Sequence, residues 1–334
     1  MLGVASMALL AFVSCKKEDN KAVSFQATSS EFVVEGEDRA YLDGDNCFVW
    51  EKGDQVKMFN IDPSNGANSE CANFAARTTG RTTVFDAVEQ MTWESKGAFY
   101  SFFPAANVTP NLSNKNYAQF ALKPVQEYYA PNGTPSFAKD AMYCASKAEA
   151  VNIHQAPFAF DNICGILRLK FYDANGRKFR SIKVVDAKEN EEMSLSGTVS
   201  LKVDKVYTEN DECTLVELCE AYNPEDPENA DWMAKAARIK HDFGYHVEHN
   251  LEGEVAPYNS ITLDLGENGI ALATTKADAS VFYFVLRPLA LAHGYKVIGV
   301  DMNGDEHEFI NSTSNKMIKP NTIKAIVAVD VTSK

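Results

Sequence analysis

Three histidines lie close together and are the first residues in this chain to consider for metal chemistry. They are His241, His246 and His249, within the stretch HDFGYHVEH. Metal sites of the HExxH and HxxEH kinds need a spacing that this stretch does not have. On a strand, His246 and His249 would face opposite sides, because successive side chains alternate. The spacing therefore favours a polar surface strand or loop, and we predict no metal site.

Two short acidic stretches could bind a cation but are better explained as turns. Residues 301–305, DMNGD, resemble the start of a calcium loop. A calcium loop also needs a bidentate Glu at its far end, which is missing here. Asn303 and Gly304 instead accept the positive φ angles of a tight hairpin. Residues 43–46, DGDN, are interpreted as a turn for the same reason.

The remaining chemically reactive residues indicate no catalytic site and no cofactor. None of the cysteines is part of a CxxC pair, and no GxSxG, P-loop or GxGxxG motif occurs. Most of the cysteines lie in apolar runs, where buried free thiols are expected. Cys213 and Cys219 are close enough in sequence to pair as an alternative. The seven are Cys15, Cys47, Cys71, Cys144, Cys164, Cys213 and Cys219. We predict that the chain is not an enzyme.

Charge and length restrict the class of protein further. The formal net charge is −14, and no basic patch is visible, so nucleic acid is not an expected partner. The chain has 334 residues, which is above the usual size of a single core and predicts two domains.

Short strands dominate the predicted secondary structure. Leu167, Leu169 and Phe171 alternate with Arg168 and Lys170, which is the period of a strand with one buried face. An Asn-Gly turn at 175–176 follows, so we predict an antiparallel hairpin that continues through residue 184. A second hairpin is predicted around Asn303-Gly304, the apolar run 281–286 is predicted to be a central strand, and 231–240 is the best helix. About a dozen strands with scarce helix predict an all-β fold of two β-sandwiches, divided between residues 187 and 199.

The N-terminus carries the features of an exported lipoprotein. Residues 1–14 are apolar, are too short to span a bilayer, and end in the small residues before Cys15. We interpret 1–21 as a lipoprotein signal and tether, with Cys15 as the lipidated first mature residue. The charged KKED stretch that follows resembles the surface-export signal of Bacteroidetes lipoproteins. Acyl chains would hold the protein to the outer membrane.

Several motifs, in their order and spacing, resemble the fimbrillin family, the lipoprotein subunits of Bacteroidales type V pili. The matching stretches are FVWEKGD at 48–54, YSFFP at 100–104, PVQEY at 124–128, 158–171, LSG at 195–197 and FVLRP at 284–288. At Asp161-Asn162 many relatives have a His after the Phe, a difference we interpret as structural. The resemblance covers most of the chain after residue 22. It implies two tandem transthyretin-like β-sandwiches with Greek-key-like antiparallel sheets, at 22–190 and 191–334.

The resemblance also implies a route of assembly through exchange of strands. A protease specific for Arg or Lys would cleave between Arg39 and Ala40, releasing the lipid and the strand within 23–34. The open sheet edge would then bind a donor strand from the next subunit. The strand predicted at 322–331 is the expected donor, with five apolar residues on one face. These are Ile323, Ala325, Val327, Val329 and Val331. Other pilus subunits and an adhesion ligand on a host or bacterial surface are then the expected partners.

Other functions need features that this sequence has only in part. Within the family, the chain could be a stalk, a tip or a lipid-retaining anchor subunit, and Arg39 could be an ordinary exposed loop residue. A monomeric surface lipoprotein that binds glycans would need exposed aromatic rings. The chain has only three tryptophans, Trp50, Trp93 and Trp232, and we predict that Trp50 is part of the core. A β-sandwich hydrolase would need a paired set of carboxylates, which the sequence does not identify.

Overall fold

The computed structural model of the chain describes fifteen stretches of residues. These are 23–35, 48–61, 68–89, 97–110, 117–138, 141–150, 153–155, 158–187, 195–202, 246–248, 259–286, 289–291, 294–314, 316–319 and 321–334.

Within these stretches the fold is all-β, as the sequence predicts. Three 3-10 turns are present at Ala105–Asn107, Pro131–Gly133 and Ile153–Gln155. The strands of the described residues are β1 (Ser24–Ser29), β2 (Val33–Glu35), β3 (Gln55–Ile61), β4 (Asn68–Ala76), β5 (Thr82–Ala87), β6 (Gly97–Phe103), β7 (Val108–Pro110), β8 (Tyr117–Leu122), β9 (Val125–Glu127), β10 (Cys144–Ala150), β11 (Phe158–Asn162), β12 (Gly165–Tyr172), β13 (Lys178–Asp186), β14 (Gly197–Lys202), β15 (His246–Glu248), β16 (Ser260–Asp264), β17 (Ile270–Ala271), β18 (Ser280–Leu286), β19 (Leu289–Leu291), β20 (Tyr295–Asp301), β21 (Glu306–Ser312), β22 (Lys316–Ile318), β23 (Thr322–Ala325) and β24 (Val329–Asp330).

Seven strands of the N-terminal half form a closed barrel. Their order is β1, β11, β10, β6, β3, β4 and β5, and β5 pairs back with β1. The sequence predicts a β-sandwich here, whereas in the structure the sheet closes on itself because β1 pairs along both of its edges. Trp50 is fully buried among aromatic rings, which confirms its predicted place in the core. Its ring centroid lies 4.8 Å from that of Phe48, 5.1 Å from Phe85, 5.4 Å from Phe103 and 5.1 Å from Phe160.

Two further sheets pack face to face to form a second body. One has the order β18, β12, β23 and β2, with β24 also paired to β12. The other has the order β21, β20, β13, β16 and β9, with β17 also paired to β13. Phe309 of β21 joins the sheets, since its ring lies 4.8 Å from Phe171 and 4.9 Å from Phe179. Both sheets are mixed rather than antiparallel as predicted, because β23 runs parallel to β12 and to β2, and β9 runs parallel to β16.

The predicted hairpin of β12 and β13 is wrong, although both strands exist. β12 pairs with β18 on one edge and with β23 and β24 on the other, while β13 lies in the opposite sheet between β16 and β20. The intervening residues form a corner in which the Gly176 N–H donates to the Asp173 carbonyl at 2.8 Å, and Gly176 has φ of 61°. Arg168, predicted on an exposed face, is 1% exposed. Alternation identified the strand but not which strands lie beside it.

The apolar strand β18 is at an edge of its sheet rather than central as predicted. The side chain of Gln126 covers that edge, because its amide pairs with both backbone groups of Val285. The Gln126 Nε2 donates to the Val285 carbonyl at 2.7 Å, and the Val285 N–H donates to Gln126 Oε1 at 2.9 Å. An amide side chain thus takes the place of a neighbouring strand at Val285, and covering an edge in this way is one means by which proteins avoid pairing with another chain.

The hairpin around Asn303-Gly304 is confirmed. β20 and β21 pair antiparallel, and Gly304 has φ of 93°. The Asp301 carboxylate accepts hydrogen bonds from the N–H groups of Asn303 and Asp305, at 2.8 and 3.0 Å. These bonds stabilise a turn and explain the acidic stretch without a cation.

Strand pairs cross the boundary predicted near residue 190. β12 and β13, which precede it, belong to sheets completed by later strands, and β14, which follows it, pairs with β8. Two small sheets, β15-β14-β8-β7 and β19-β22, complete the described fold. The domain limits 22–190 and 191–334 stay a prediction.

Several predicted elements lie outside the described residues, among them the helix at 231–240. In the part of the chain that the structure describes, no helix has the length and apolar character needed to cross a membrane.

Candidate functional site: the N-terminal and C-terminal segments

The described residues 23–35, here called the N-terminal segment, contribute one strand to each of the two bodies. β1 lies in the barrel between β5 and β11 and is the strand that closes it. β2 lies at the edge of the sheet of the second body, beside β23. The N-terminal segment therefore attaches to both bodies through backbone pairing.

Alternation in β1 places apolar side chains in the barrel core. Phe25 and Ala27 are 2% and 1% exposed, while Gln26 and Thr28, which alternate with them, are exposed. The Phe25 ring lies 4.5 Å from Phe158, 5.1 Å from Phe74 and 5.3 Å from Phe85. Burying an aromatic side chain of this size stabilises the fold by about 1.5–3 kcal/mol. Departure of β1 would expose these rings together with the backbone edges of β5 and β11.

Backbone hydrogen bonds hold β1 at both ends. The Ala87 N–H donates to the Val23 carbonyl at 2.9 Å, and the Ser29 N–H donates to the Arg81 carbonyl at 3.0 Å. The Ser30 hydroxyl donates to the carboxylate of Asp161, in the Asp-Asn pair where the sequence departs from many fimbrillins. These contacts are non-covalent, as are the pairing of β1 and the contacts of β2 described next, so a cut in the chain after residue 35 would leave the N-terminal segment attached only by contacts of this kind.

Glu35 of β2 makes an ion-paired contact with the C-terminal half. Lys319 Nζ lies 2.8 Å and Lys324 Nζ 3.4 Å from its carboxylate oxygens. The three side chains are 19–28% exposed, so the charges are only partly screened by water. Burial alone would raise the pKa of Glu35. This effect is outweighed by the two lysines, Lys319 and Lys324, each of which donates a hydrogen bond and brings a positive charge that lowers the pKa. The pKa of Glu35 is therefore below its ordinary value, and the carboxylate is charged at neutral pH.

Asn321 joins the N-terminal segment, the end of β11 and the start of β23. Its backbone carbonyl accepts from the Val33 N–H at 2.9 Å, and its Nδ2 donates to the Glu31 carbonyl at 2.8 Å. Its Oδ1 accepts from Asn162 Nδ2 at 2.6 Å. Its N–H donates to the carbonyls of Asn162 and Cys164, each at 3.0 Å. Asn321 has φ of 52°, a left-handed conformation that Asn adopts more easily than other residues with a side chain.

Neither Asn321 nor Asn162 could be identified as important from the sequence. Asn162 is 1% exposed, and its side-chain oxygen also accepts from the Cys144 thiol at 3.1 Å. The only signal in the sequence was the Pro320-Asn321 dipeptide, since a type II turn favours Pro followed by a residue that accepts a positive φ, such as Asn.

The residues predicted to form the donor strand are built into the second body. Ile323 and Ala325, in β23, are 4% and 6% exposed, and Val331 is fully buried. Val327 is 46% exposed and lies between β23 and β24, so the predicted strand 322–331 is two short strands whose residues do not share one buried face. β23 lies between β12 and β2, and a donor role for these residues therefore requires them to leave this chain's own sheet.

The other predicted site residues are mostly outside the described part of the chain. Cys15, Arg39 and Ala40 lie outside it, as do His241, His249, Trp93 and Trp232. Among the described residues, no three His, Cys, Asp or Glu side chains are grouped closely enough to hold a metal ion. Cys71, Cys144 and Cys164 are free thiols, and burial raises the pKa of Cys164 to about 12, so this thiol is not reactive. A glycan-binding surface would need exposed aromatic rings. Tyr129, which is 36% exposed, is the one aromatic among the large exposed apolar residues of the described stretches.

Comparisons with known proteins give likeness of fold at low identity. No protein-family model matches the chain, and no curated protein matches it. A solved structure described as a candidate cell adhesion protein from Bacteroides uniformis is 11% identical, with a TM-score of 0.49, and the match covers 92% of this chain and 93% of that one. One from Bacteroides ovatus with the same description is 12% identical, with a TM-score of 0.47, over 90% of this chain and 88% of that one.

A third structure, described as a fimbrial protein from Bacteroides ovatus, is 10% identical with a TM-score of 0.37, and the match covers 93% of this chain and 50% of that one. These names agree with the resemblance to fimbrillins noted in the sequence. With identities this low and TM-scores below 0.5, the likenesses carry no further argument.

Proposed function

We propose that this chain is a structural subunit of a cell-surface fimbria, assembled by exchange of strands and serving adhesion. What supports the proposal is the position of β1. This strand closes the barrel, comes from the N-terminal segment, and precedes the predicted cleavage site at Arg39 by ten residues. A single cut there would turn an internal strand into a non-covalently bound peptide.

The edges of β5 and β11 give the vacated site its affinity for another strand. Both edges have backbone N–H and C=O groups that β1 satisfies in the intact chain. Unpaired groups of this kind recruit an extended segment, and the aromatic wall around Phe25 selects one with alternating apolar side chains. Residues 322–331 of a second copy have that alternation.

The proposal includes the route by which the chain reaches the cell surface. Cys15 carries lipid in the precursor, and the outer membrane holds the precursor through that lipid. Cleavage after Arg39 then releases the lipid together with the N-terminal segment. The mature chain then begins at Ala40 and joins other subunits in the fibre. The two bodies are proposed to be transthyretin-like domains, with the barrel serving as acceptor and the second body supplying the donor.

Digestion of the purified chain with an Arg-specific protease tests this proposal. We expect a new N-terminus at Ala40, loss of the N-terminal segment and a ladder of oligomers that resists denaturant. The matched control is Arg39→Ala, which should stay monomeric under the same digestion. A synthetic peptide of residues 23–35 added in excess should suppress the ladder, because it refills the site of β1.

Two results would contradict the proposal. One is a chain cut after Arg39 that keeps residues 23–35 bound and stays monomeric at all concentrations. The other is a ladder that forms equally well from Arg39→Ala, since assembly would then not depend on removal of β1.

A further inference from the structure

We propose that the corner between β12 and β13 is a clasp for the end of the chain, and that a donor strand is released from Val327 onward, not from Thr322. This inference rests on the proposed donor role, and it assigns a function to the turn around Asn175-Gly176. The clasp consists of Asp173, Ala174 and Arg177.

Residues 321–334, here called the C-terminal segment, are held in two different ways. β23 is paired on both sides, with β12 and β2, and its Ile323 and Ala325 are buried. Residues 326–328 form no strand, and Val327 is 46% exposed. β24 is only two residues long and pairs on one side, with β12. The middle of the C-terminal segment is therefore a natural hinge between a firmly held part and a weakly paired part.

The clasp supplies the contacts that the short β24 lacks. Arg177 Nη2 donates to the Val331 carbonyl, and Nη1 donates to the Lys334 carbonyl at 3.0 Å. The Ala174 N–H donates to the Thr332 hydroxyl oxygen at 2.9 Å. All three bonds go to residues 331–334, beyond the hinge, and none goes to β23.

Asp173 makes the clasp rigid by positioning Arg177. Its side chain is fully buried, and its Oδ2 accepts from Arg177 Nε at 2.5 Å. Its Oδ1 accepts from the Asn175 N–H at 2.9 Å, which ties the carboxylate to the turn. Arg177 also lies over the Phe179 ring, 5.6 Å from its centroid. The guanidinium group is thus held in the orientation that its bonds to the two carbonyls need. A Lys at this position could not bind the Asp173 carboxylate and both carbonyls at once, because its single ammonium group has no fork.

Release at the hinge would free a segment of suitable length and pattern. Residues 327–334 carry Val327, Val329 and Val331 at alternate positions. Extended, eight residues reach roughly 26 Å, which is longer than the six-residue β1 they would replace. β23 stays in its own sheet and anchors the donor to its subunit.

Hydrogen exchange measured by mass spectrometry on the intact, uncut chain tests the clasp. In Arg177→Ala we expect amides of residues 329–334 to exchange about tenfold faster or more, because bonds to a charged group are lost. Amides of 322–325 should be unchanged. Thr332→Val, which leaves no buried charge unpaired, should accelerate the same amides to a smaller extent. The matched control is Arg77→Ala, which removes an exposed ion pair to Asp86 on the barrel and should leave residues 321–334 unaffected.

Arg177→Lys adds a readout that a general loss of stability would not give. It keeps a positive charge near Asp173 but lacks the guanidinium fork. Relative to Arg177→Ala, it should therefore recover more of the overall stability than of the protection of residues 329–334 against hydrogen exchange. Where Arg177→Ala does not fold, Thr332→Val and Arg177→Lys carry the test.

The proposal is overturned if exchange at 329–334 is unchanged in these variants, or if 322–325 accelerates in step, because the C-terminal segment would then move as one unit. The experiment needs neither cleavage nor assembly. Failure of the proposed function would appear instead as a missing ladder after digestion, with the exchange result intact.

Discussion

Replacing Asn321 by alanine would test whether this residue holds the N-terminal segment in place. The substitution removes the donor to the Glu31 carbonyl and the acceptor for Asn162 Nδ2. It also places Ala, which tolerates a left-handed backbone less well than Asn does, at φ of 52°. The backbone bond from the Val33 N–H to residue 321 can remain, so the predicted effect comes from the side chain and from strain.

The expected decrease in the free energy of unfolding is the sum of three contributions. The neutral hydrogen bond to Glu31 contributes about 1 kcal/mol. Asn162 is 1% exposed, and leaving its buried N–H without the acceptor costs about 1–3 kcal/mol. Left-handed backbone strain in Ala adds about 1 kcal/mol relative to Asn. We therefore expect Asn321→Ala to lower the free energy of unfolding by about 3–5 kcal/mol.

Two matched variants separate the contributions. Asn321→Gly removes the same side chain without the strain and should be about 1 kcal/mol more stable than Asn321→Ala. Asn321→Asp keeps an acceptor for Asn162 but turns a carboxylate oxygen toward the Glu31 carbonyl in place of the donor. It should therefore cost more than the roughly 1 kcal/mol of the lost hydrogen bond. Urea unfolding measures the totals, and hydrogen exchange at the Val33 amide reports whether the N-terminal segment opens first.

Equal stability of the Ala and Gly variants would refute the strain contribution. A loss below about 0.5 kcal/mol in both would refute the view of Asn321 as the junction, since changes of that size are typical of ordinary surface substitutions.

Three further outcomes follow from the same contacts. Phe25→Ala should lower the free energy of unfolding by about 3–5 kcal/mol in urea melts, because it empties a site lined by three rings, whereas Val33→Ala, at 59% exposed, should change it by less than about 0.5 kcal/mol. Glu35→Gln should lower the thermal midpoint at neutral pH, and the difference from the parent should shrink as pH falls below about 4. The sign follows from the lowered pKa of Glu35: its charged form is stabilised by Lys319 and Lys324 above its ordinary pKa of 4.5, and that stabilisation is lost as pH falls through the lower folded value. A difference that persists unchanged at pH 3 would contradict this ion pairing. The Lys319→Met and Lys324→Met variants should each reduce the pH dependence when midpoints are compared across the same range.

The local elements of this fold were largely predictable. Alternation located β12, and the Asn303-Gly304 dipeptide located the turn between β20 and β21 to the residue. The place of Trp50 in the core also followed from its position beside an apolar strand. Each of these properties depends on neighbouring residues and on the two-residue period of a strand, so a single sequence carries the information.

The partners of the strands were not predictable. The apolar run in β18 favoured a central strand, yet this strand is at an edge, and the side chain of Gln126 satisfies it from 159 residues away in sequence. Arg168 was assigned to an exposed face because it alternates with Leu167 and Leu169, yet it is buried in the folded chain.

The residue pattern of this chain is enough to predict an all-β fold, to locate strands such as β12, and to place an Arg-Ala pair after the first strand. The folded structure was needed to see that β1 closes a barrel, that β2 lies beside β23, and that a corner predicted to be a hairpin contacts the end of the chain. Side-chain periodicity is a local property, whereas every strand edge presents the same backbone donors and acceptors. The choice among equivalent edges is therefore made by the packing of the whole core.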